Sequence, residues 1–350
     1  MRIGVMLPNW VGDLAMATPT LRALRKRFPQ DELVGVVQSN VAAVLEGLNW
    51  LDRTLIWDHR QLRSAGSWWN VWRELHARPV DTFVLLRNSW SSAVMAKLAA
   101  ARRIVGYQRF GRGWLLTDTL APPREGKRLL PISAVDYYLN LAYHLGCEPE
   151  SPRLELATLP ADEAAADAVC TRLHLPAADR VVLLSTGGAY GSSKQWPVEN
   201  AAIFSTRVAE ELGLTVLVLC GPGDRAAAEE VEQRASHPRV KSLAREQLSL
   251  GLSKALIRRA RLLVATDSGP RHLAAALGTA TVSLFGSTDP RWAENYQTGS
   301  VQLRLGLHCS PCAKRECPLG HHRCMKDLSP DLVFRAAAQQ LQCRDPARAA

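Results

Sequence analysis

The chain has 350 residues, 47% hydrophobic and 22% charged, with a formal net charge of +10 and a pI near 9.4. Such a length holds two domains, the composition excludes a disordered or fibrous chain, and no apolar run approaches the ~18 residues of a membrane-spanning helix. The positive charge favours a polyanionic partner (nucleic acid, a phosphorylated small molecule or an anionic membrane surface) without choosing among them. Solenoid-type repeats are not evident. Residues 3–7 are an apolar run read as the first strand. No small-residue cleavage site follows it, so a soluble cytoplasmic protein is expected, peripheral to a membrane at most.

Residues 14–28 carry apolar side chains at helical spacing, and Pro19 must kink that helix or start its main body after Thr18. Asp13 therefore stands where a first strand hands over to a first helix, the place where open α/β sheets bind ligands. It reads either as a helix N-cap or as a functional carboxylate. The loop lacks G-x-G-x-x-G, so it is not a dinucleotide fingerprint. Strands are expected at 33–37, 54–57, 82–86 and 103–105, with helical patterns at 41–48 and 93–100. This alternation predicts a mainly parallel sheet with helices on both faces. Basic residues gather at Arg60 and Arg63, at Arg102, Arg103, Arg109 and Arg112, and at Arg124, Lys127 and Arg128. They read as solvated surface or as a basic cleft for a phosphorylated or carboxylated acceptor. With the nearby Trp68, Trp69 and Trp72 they could also suit single-stranded nucleic acid, although no nucleic-acid module is recognisable.

The polar, Pro-containing stretch 148–162 marks the domain boundary. A second α/β series begins with a strand at 180–184. The loop from Ser185 to Pro197 is rich in Gly, Ser and Thr and contains Lys194, but its spacing is not that of a Walker A loop. Its N–H groups and hydroxyls can cradle phosphate, with Lys194 as a point charge. A buried strand at 214–220 ends in Gly-Pro-Gly-Asp, where Asp224 either caps the following helix or reaches a ribose. Residues 262–265 form the next strand, and the turn Thr266-Asp267-Ser268-Gly269-Pro270 opens a helix stopped by Gly278. The first N–H groups of such a helix form an anion site. Ser268 can cap it or donate to phosphate. Asp267 fits as a cap or as an acceptor for sugar hydroxyls, since a carboxylate beside phosphate repels it. A strand at 281–285 leads into another small polar loop, Gly286 to Pro290. Repeated loops of this kind in one half make a nucleotide site credible.

Of the eight cysteines, Cys309, Cys312, Cys317 and Cys324 lie close together with His321 and His322 among them. They could hold a structural Zn, form disulfides or stay free; the spacing does not match paired zinc knuckles. A final helix is expected from 332 to 341.

The blocks LPNWVGDLAMATPTLRALRKRFP, NSWSSAVMAKLAAARRIVGY, TGGAYGSSKQWPVENAA and ATDSGPRHLAAALGTATVSLFGSTDP, in this order, resemble the ADP-heptose:lipopolysaccharide heptosyltransferases of glycosyltransferase family 9, most closely those that add the second heptose. The resemblance implies an α/β fold of GT-B type, two doubly wound Rossmann-like domains facing across a cleft. It implies an acceptor domain over 1–155, an ADP-sugar domain over 156–328, and a helical segment over 329–350 packing back on the first domain. It implies inverting transfer of heptose from ADP-heptose to the first heptose of the inner core (heptosyl-Kdo2-lipid A), with no cofactor or catalytic metal and no nucleic-acid partner. The site would lie at the inner face of the inner membrane. Asp13 resembles the catalytic base and Lys194 the diphosphate-binding Lys. Thr186, Gly187, Asp224, Asp267, Ser268, Gly269 and His272 fall on positions lining the donor site. Arg60, Arg63 and Arg109 are the expected acceptor residues. The family often has Pro-Gly where this chain has Thr186-Gly187, and the Cys-rich insert is outside its best-known catalytic pattern.

Overall fold

A computed structural model describes residues 1–58 and 65–343; Arg60 and Arg63 lie outside the described residues. The chain divides into two compact units, Met1–Leu156 and Ala157–Ala350.

The first unit is built on strands β1 (Arg2–Met6), β2 (Glu32–Val37), β3 (Arg53–Ile56), β4 (Thr82–Leu85), β5 (Arg103–Tyr107) and β6 (Asp118–Leu120). All pair in parallel in the order β3-β2-β1-β4-β5-β6, with Met6 opposite Leu85 across the central pair. Every residue of β1 and β4 is buried, which explains their continuous apolar sequence: helices must cover both faces. Those helices are α1 (Val11–Met16), α2 (Thr18–Arg27), α3 (Ser39–Ala42), α4 (Ala65–Ala77), α5 (Trp90–Leu98) and α6 (Ala134–His144). A two-stranded antiparallel ribbon, β7 (Arg124–Glu125) and β8 (Arg128–Leu129), stands apart.

The break expected at Pro19 is present. Ala17 closes α1, and Pro19 occupies the first turn of α2, where its missing N–H costs nothing. The helix expected over 41–48 is not continuous. After α3 the chain runs on as i→i+3 turns, Val44 to Val41 and Leu48 to Leu45, and Gly47 at φ +90 prevents a regular helix.

The second unit repeats the plan with β9 (Val181–Ser185), β10 (Thr215–Val218), β11 (Val240–Ser242), β12 (Leu262–Thr266), β13 (Thr281–Phe285) and β14 (Val301–Arg304), in the parallel order β11-β10-β9-β12-β13-β14. Its helices are α7 (Pro160–Arg172), α8 (Val198–Glu211), α9 (Arg225–Ala235), α10 (Leu250–Arg259), α11 (Gly269–Leu277), a short α12 (Arg323–Lys326) and α13 (Pro330–Cys343). Gly278 at φ +80 terminates α11 as its sequence predicts.

Within its own unit α13 is part of the core: Val333, Phe334, Ala337 and Leu341 join Phe204, Val208, Val264 and Leu284. Arg207 of α8 stacks 4.1 Å from the Phe334 ring, and the indole of buried Trp196 donates to Leu328 O just before the helix (2.9 Å). An amphipathic helix goes where its apolar stripe is covered, and that cover is the β12–β14 side of the second sheet.

In each sheet the winding reverses between a central pair, β1/β4 and β9/β12. Loops leaving the carboxyl ends of such a pair diverge, and the crevice they leave is where doubly wound sheets bind ligands.

Candidate active site

In the second unit the crevice belongs to the loops after β9 and β12. The β9 loop runs from Thr186 through Gly191 to a single 3₁₀ turn, Ser192–Lys194. Buried Thr266 donates through its hydroxyl to Gly187 O (3.0 Å), and Trp196 N donates to Thr186 O (2.9 Å), so the loop is tied to the sheet and its two ends to each other. Lys194 is thereby aimed at Asp267. Its ammonium donates to the Asp267 carboxylate (2.7 Å) and to its main-chain oxygen (2.9 Å). The hydroxyl of Thr288, from the loop after β13, donates to the same carboxylate oxygen (2.7 Å). The other oxygen faces buried Arg271 one helical turn on, 3.5 Å away.

Burial alone would raise the Asp267 pKa, but the charges of Lys194 and Arg271 outweigh it and hold the carboxyl below its ordinary value. Two cations around one carboxylate leave an excess of one positive charge. The amino end of α11 adds roughly half a unit more. Asp267 is therefore neither a helix cap nor a free sugar acceptor. It anchors the lysine.

Ser268 occupies the N-cap position of α11, yet its hydroxyl turns back to Thr266 O (3.2 Å) and makes no side-chain cap. Among the described residues the start of α11, at Gly269, has no side-chain cap. Asp224 likewise caps nothing. Its carboxyl lies against Gly187, so close that a Cβ on Gly187 would come within 2.7 Å of it, and burial raises its pKa. The structure thus brings Thr186, Gly187, Lys194, Asp224, Asp267, Ser268 and Gly269 together. His272 differs: it is buried at 3% exposure, with Nε2 3.3 Å from Arg271 and Nδ1 3.5 Å from Asn295. Burial and the adjacent guanidinium push its pKa well below the ordinary imidazole value, so it is neutral at physiological pH.

In the first unit, Asp13 is the third residue of α1, and Trp10 rather than Asp13 holds the N-cap position. The Tyr138 hydroxyl, from α6, donates to Asp13 Oδ1 at 3.5 Å. Burial, reinforced by the Asp13 charge, pushes the Tyr138 pKa well up, so the phenol stays protonated. The neighbouring loop after β4 is pinned by Arg112. This fully buried guanidinium donates to the main-chain oxygens of Arg87 (2.6 Å), Ser89 (3.1 Å) and Tyr107 (3.2 Å), to Ser92 Oγ (3.1 Å) and to Asn88 Oδ1 (3.2 Å). Burial pushes its pKa down to about 10, still well above neutrality. Arg112 is thus a scaffold cation, not part of a solvated basic surface. Arg112→Met should cost roughly 3 kcal/mol in denaturant unfolding, because it orphans several buried acceptors; Arg112→Lys should not restore it, since an ammonium cannot reproduce the planar fork. Arg109 is half-buried, 4.8 Å from the Phe110 ring. Arg103 is an ion-pair partner of Asp118.

A sequence model of glycosyltransferase family 9 (heptosyltransferase) matches residues 68–323. The chain belongs to this family. It is 25% identical over 348 residues to lipopolysaccharide heptosyltransferase 2 of Escherichia coli (strain K12), covering 95% of this chain and 97% of that one. Its fold is similar to that of E. coli ADP-heptose lps heptosyltransferase II (TM-score 0.79, 22% identity, 98% of this chain and 99% of that chain). The family 9 glycosyl transferase of Veillonella parvula DSM 2008 gives a TM-score of 0.82 at 24% identity, with 97% of each chain covered.

In this family 9 enzyme the Cys-rich segment has a role that its cysteines do not announce. All eight cysteines are free, and among the described residues no group of three or more His, Cys, Asp or Glu side chains is arranged to hold a metal. The structure therefore does not assemble a Zn site from Cys309, Cys312, Cys317 and Cys324. Cys317 Sγ accepts from His322 N (3.3 Å), which with neighbouring N–H groups lowers its pKa. The segment works through its main chain. Ser193 N and Oγ donate to the carbonyls of Arg315 (3.0 Å) and Lys314 (2.6 Å), and the Tyr190 hydroxyl donates to Ala313 O (2.9 Å). His322 Nε2 lies 3.0 Å from Ser193 O. The segment is a buttress behind the loop that carries Lys194. Sequence reading missed this, along with Arg271, Thr288 and Tyr138. The i,i+4 spacing of Asp267 and Arg271 was a usable signal; the other contacts join residues distant in sequence.

Proposed function

We propose that this heptosyltransferase moves L-glycero-D-manno-heptose from ADP-heptose onto the first heptose of a lipopolysaccharide inner core, with inversion at the anomeric carbon. The observation that carries this reading is the Lys194–Asp267–Arg271 cluster at the β9/β12 crevice, net positive and beside the uncapped start of α11. A departing ADP gathers negative charge on its β-phosphate. Lys194 and the N–H groups of α11 answer that charge with donors already in place. Asp224 beside Gly187 suits the hydroxyls of a ribose. In the first unit Asp13 is the general base. As the acceptor oxygen bonds to the anomeric carbon and the bond from that carbon to the β-phosphate oxygen breaks, the hydroxyl proton passes to the Asp13 carboxylate. The basic residues Arg60, Arg63 and Arg109 serve the acceptor, an anionic glycolipid at a membrane surface. Among the described residues no helix is long and apolar enough to cross a membrane, which accords with peripheral access.

The reading is tested by ADP release from ADP-heptose with two acceptors, heptosyl-Kdo2-lipid A and the same lipid lacking heptose. Release with the heptosylated acceptor alone is the expected result. Release with bare Kdo2-lipid A alone would reassign the enzyme to first-heptose transfer, and release with neither would overturn both donor and acceptor.

A further inference from the structure

We propose that Arg87 is an anion-binding residue of the first unit, holding a phosphate or carboxylate of the acceptor. The identity of that acceptor rests on the reading above; the anion site itself does not. Arg87 follows β4 by two residues, at the carboxyl end of the β1/β4 crevice, and Leu86 N donates to Met6 O of β1 (3.1 Å). Its guanidinium is half-buried and packs 5.5 Å from the ring of Trp57, which is 1% exposed and directly follows β3. In the sheet β1 and β2 lie between β4 and β3. Arg87 and Trp57 thus meet over the ends of the strand that leads to Asp13 and of its neighbour.

The other arginines withdrawn from solvent have partners. Arg271 faces Asp267, Arg2 faces Glu32, and Arg112 donates to several oxygens. Arg87 forms no ion pair and donates no hydrogen bond among the described residues. Burial lowers its pKa, and no neighbouring carboxylate raises it back. Residues 59–64, which follow Trp57 and Asp58, read His-Arg-Gln-Leu-Arg-Ser and contain no carboxylate. A desolvated cation without a counter-ion is costly. The π face of Trp57 compensates only in part. The loop that holds it is rigid, because Arg112 bonds to the main chain of Arg87 itself. A pinned, half-desolvated guanidinium in a ligand crevice presents a planar donor fork matched to the two oxygens of a carboxylate or phosphate.

The test compares wild type with Arg87→Met and Arg87→Lys, each with ADP saturating. Inorganic phosphate or acetate is titrated and the melting temperature followed. Wild type should gain stability with at least one anion. Arg87→Met should need about tenfold or more of that anion for the same gain, and Arg87→Lys should fall between. Without anion, Arg87→Met should melt no lower than wild type, since an apolar isostere replaces an unpaired charge. Phosphate or acetate as the responding anion names the acceptor group. In transfer assays the acceptor KM of Arg87→Met should rise about tenfold while the donor KM stays within about twofold. An Arg87→Met protein that melts lower and responds to both anions as wild type does would make Arg87 structural and overturn the proposal. If wild type transfers nothing to heptosyl-Kdo2-lipid A yet the anion response depends on Arg87, the acceptor assignment fails and the anion site stands.

Discussion

Asp13→Asn should lower the rate of heptose transfer by about 10²–10⁴-fold, the usual contribution of a positioned general base, while ADP-heptose affinity changes by less than about twofold. The amide keeps the size of the carboxyl and its acceptor oxygen for Tyr138 but cannot take a proton. A sugar hydroxyl is a poor nucleophile until its proton leaves, so the loss falls on the chemical step. Single-turnover transfer and equilibrium titration of ADP-heptose separate the two effects. Retained transfer would remove Asp13 from the mechanism. Tyr138 is not a substitute base, because burial holds its phenol protonated.

Lys194→Met should weaken ADP-heptose binding and destabilise the second unit together. Removing one partner of a buried ion pair typically costs about 3–5 kcal/mol, because the Asp267 carboxylate would keep only Thr288 and the more distant Arg271. The double variant Lys194→Met/Asp267→Asn should recover much of the stability and none of the donor affinity. Recovery of both would mean that Lys194 serves the fold alone. The pH dependence follows from the sign of the Asp267 shift. Its folded pKa is depressed, because Lys194 and Arg271 outweigh burial. A carboxylate of that kind stabilises the fold above its unfolded value of about 3.9, and the contribution is lost as pH falls through the folded value. Denaturant midpoints measured at neutral pH and again in acid should therefore fall further for wild type than for Asp267→Asn. Equal losses would mean that the pair contributes nothing to acid stability.

Much of the site was legible because its parts are local. The strand-turn-helix at 262–278, the small-residue loop ending in Lys194 and the strand-to-helix handover at Asp13 each announce themselves within about a dozen residues. Strands buried on both faces were found for the same reason. Three strands of the two six-stranded sheets were not foreseen: β6, β11 and β14, all at sheet edges and as polar as Asp-Thr-Leu, Val-Lys-Ser and Val-Gln-Leu-Arg. An edge strand with an exposed face needs no long apolar run, so its sequence carries a weak signal. The helix expected over 41–48 shows the converse, an apolar period satisfied by turns.

By itself, the sequence determined the two doubly wound halves, the loops that bear the chemistry and the residue types in them, since apolar period, glycine and proline act through neighbours along the chain. The tertiary structure decided the partners. Asp267 reads as a cap or a sugar acceptor until the β9 loop delivers Lys194 to it across 73 residues. Arg112 reads as solvated surface or basic cleft until its carbonyl acceptors close around it. The Cys-rich segment reads as a metal site, a set of disulfides or free thiols, and only the fold sets its main chain behind Ser193. Charge and hydrogen-bond complementarity depend on distance in space, and only the folded sheets set those distances.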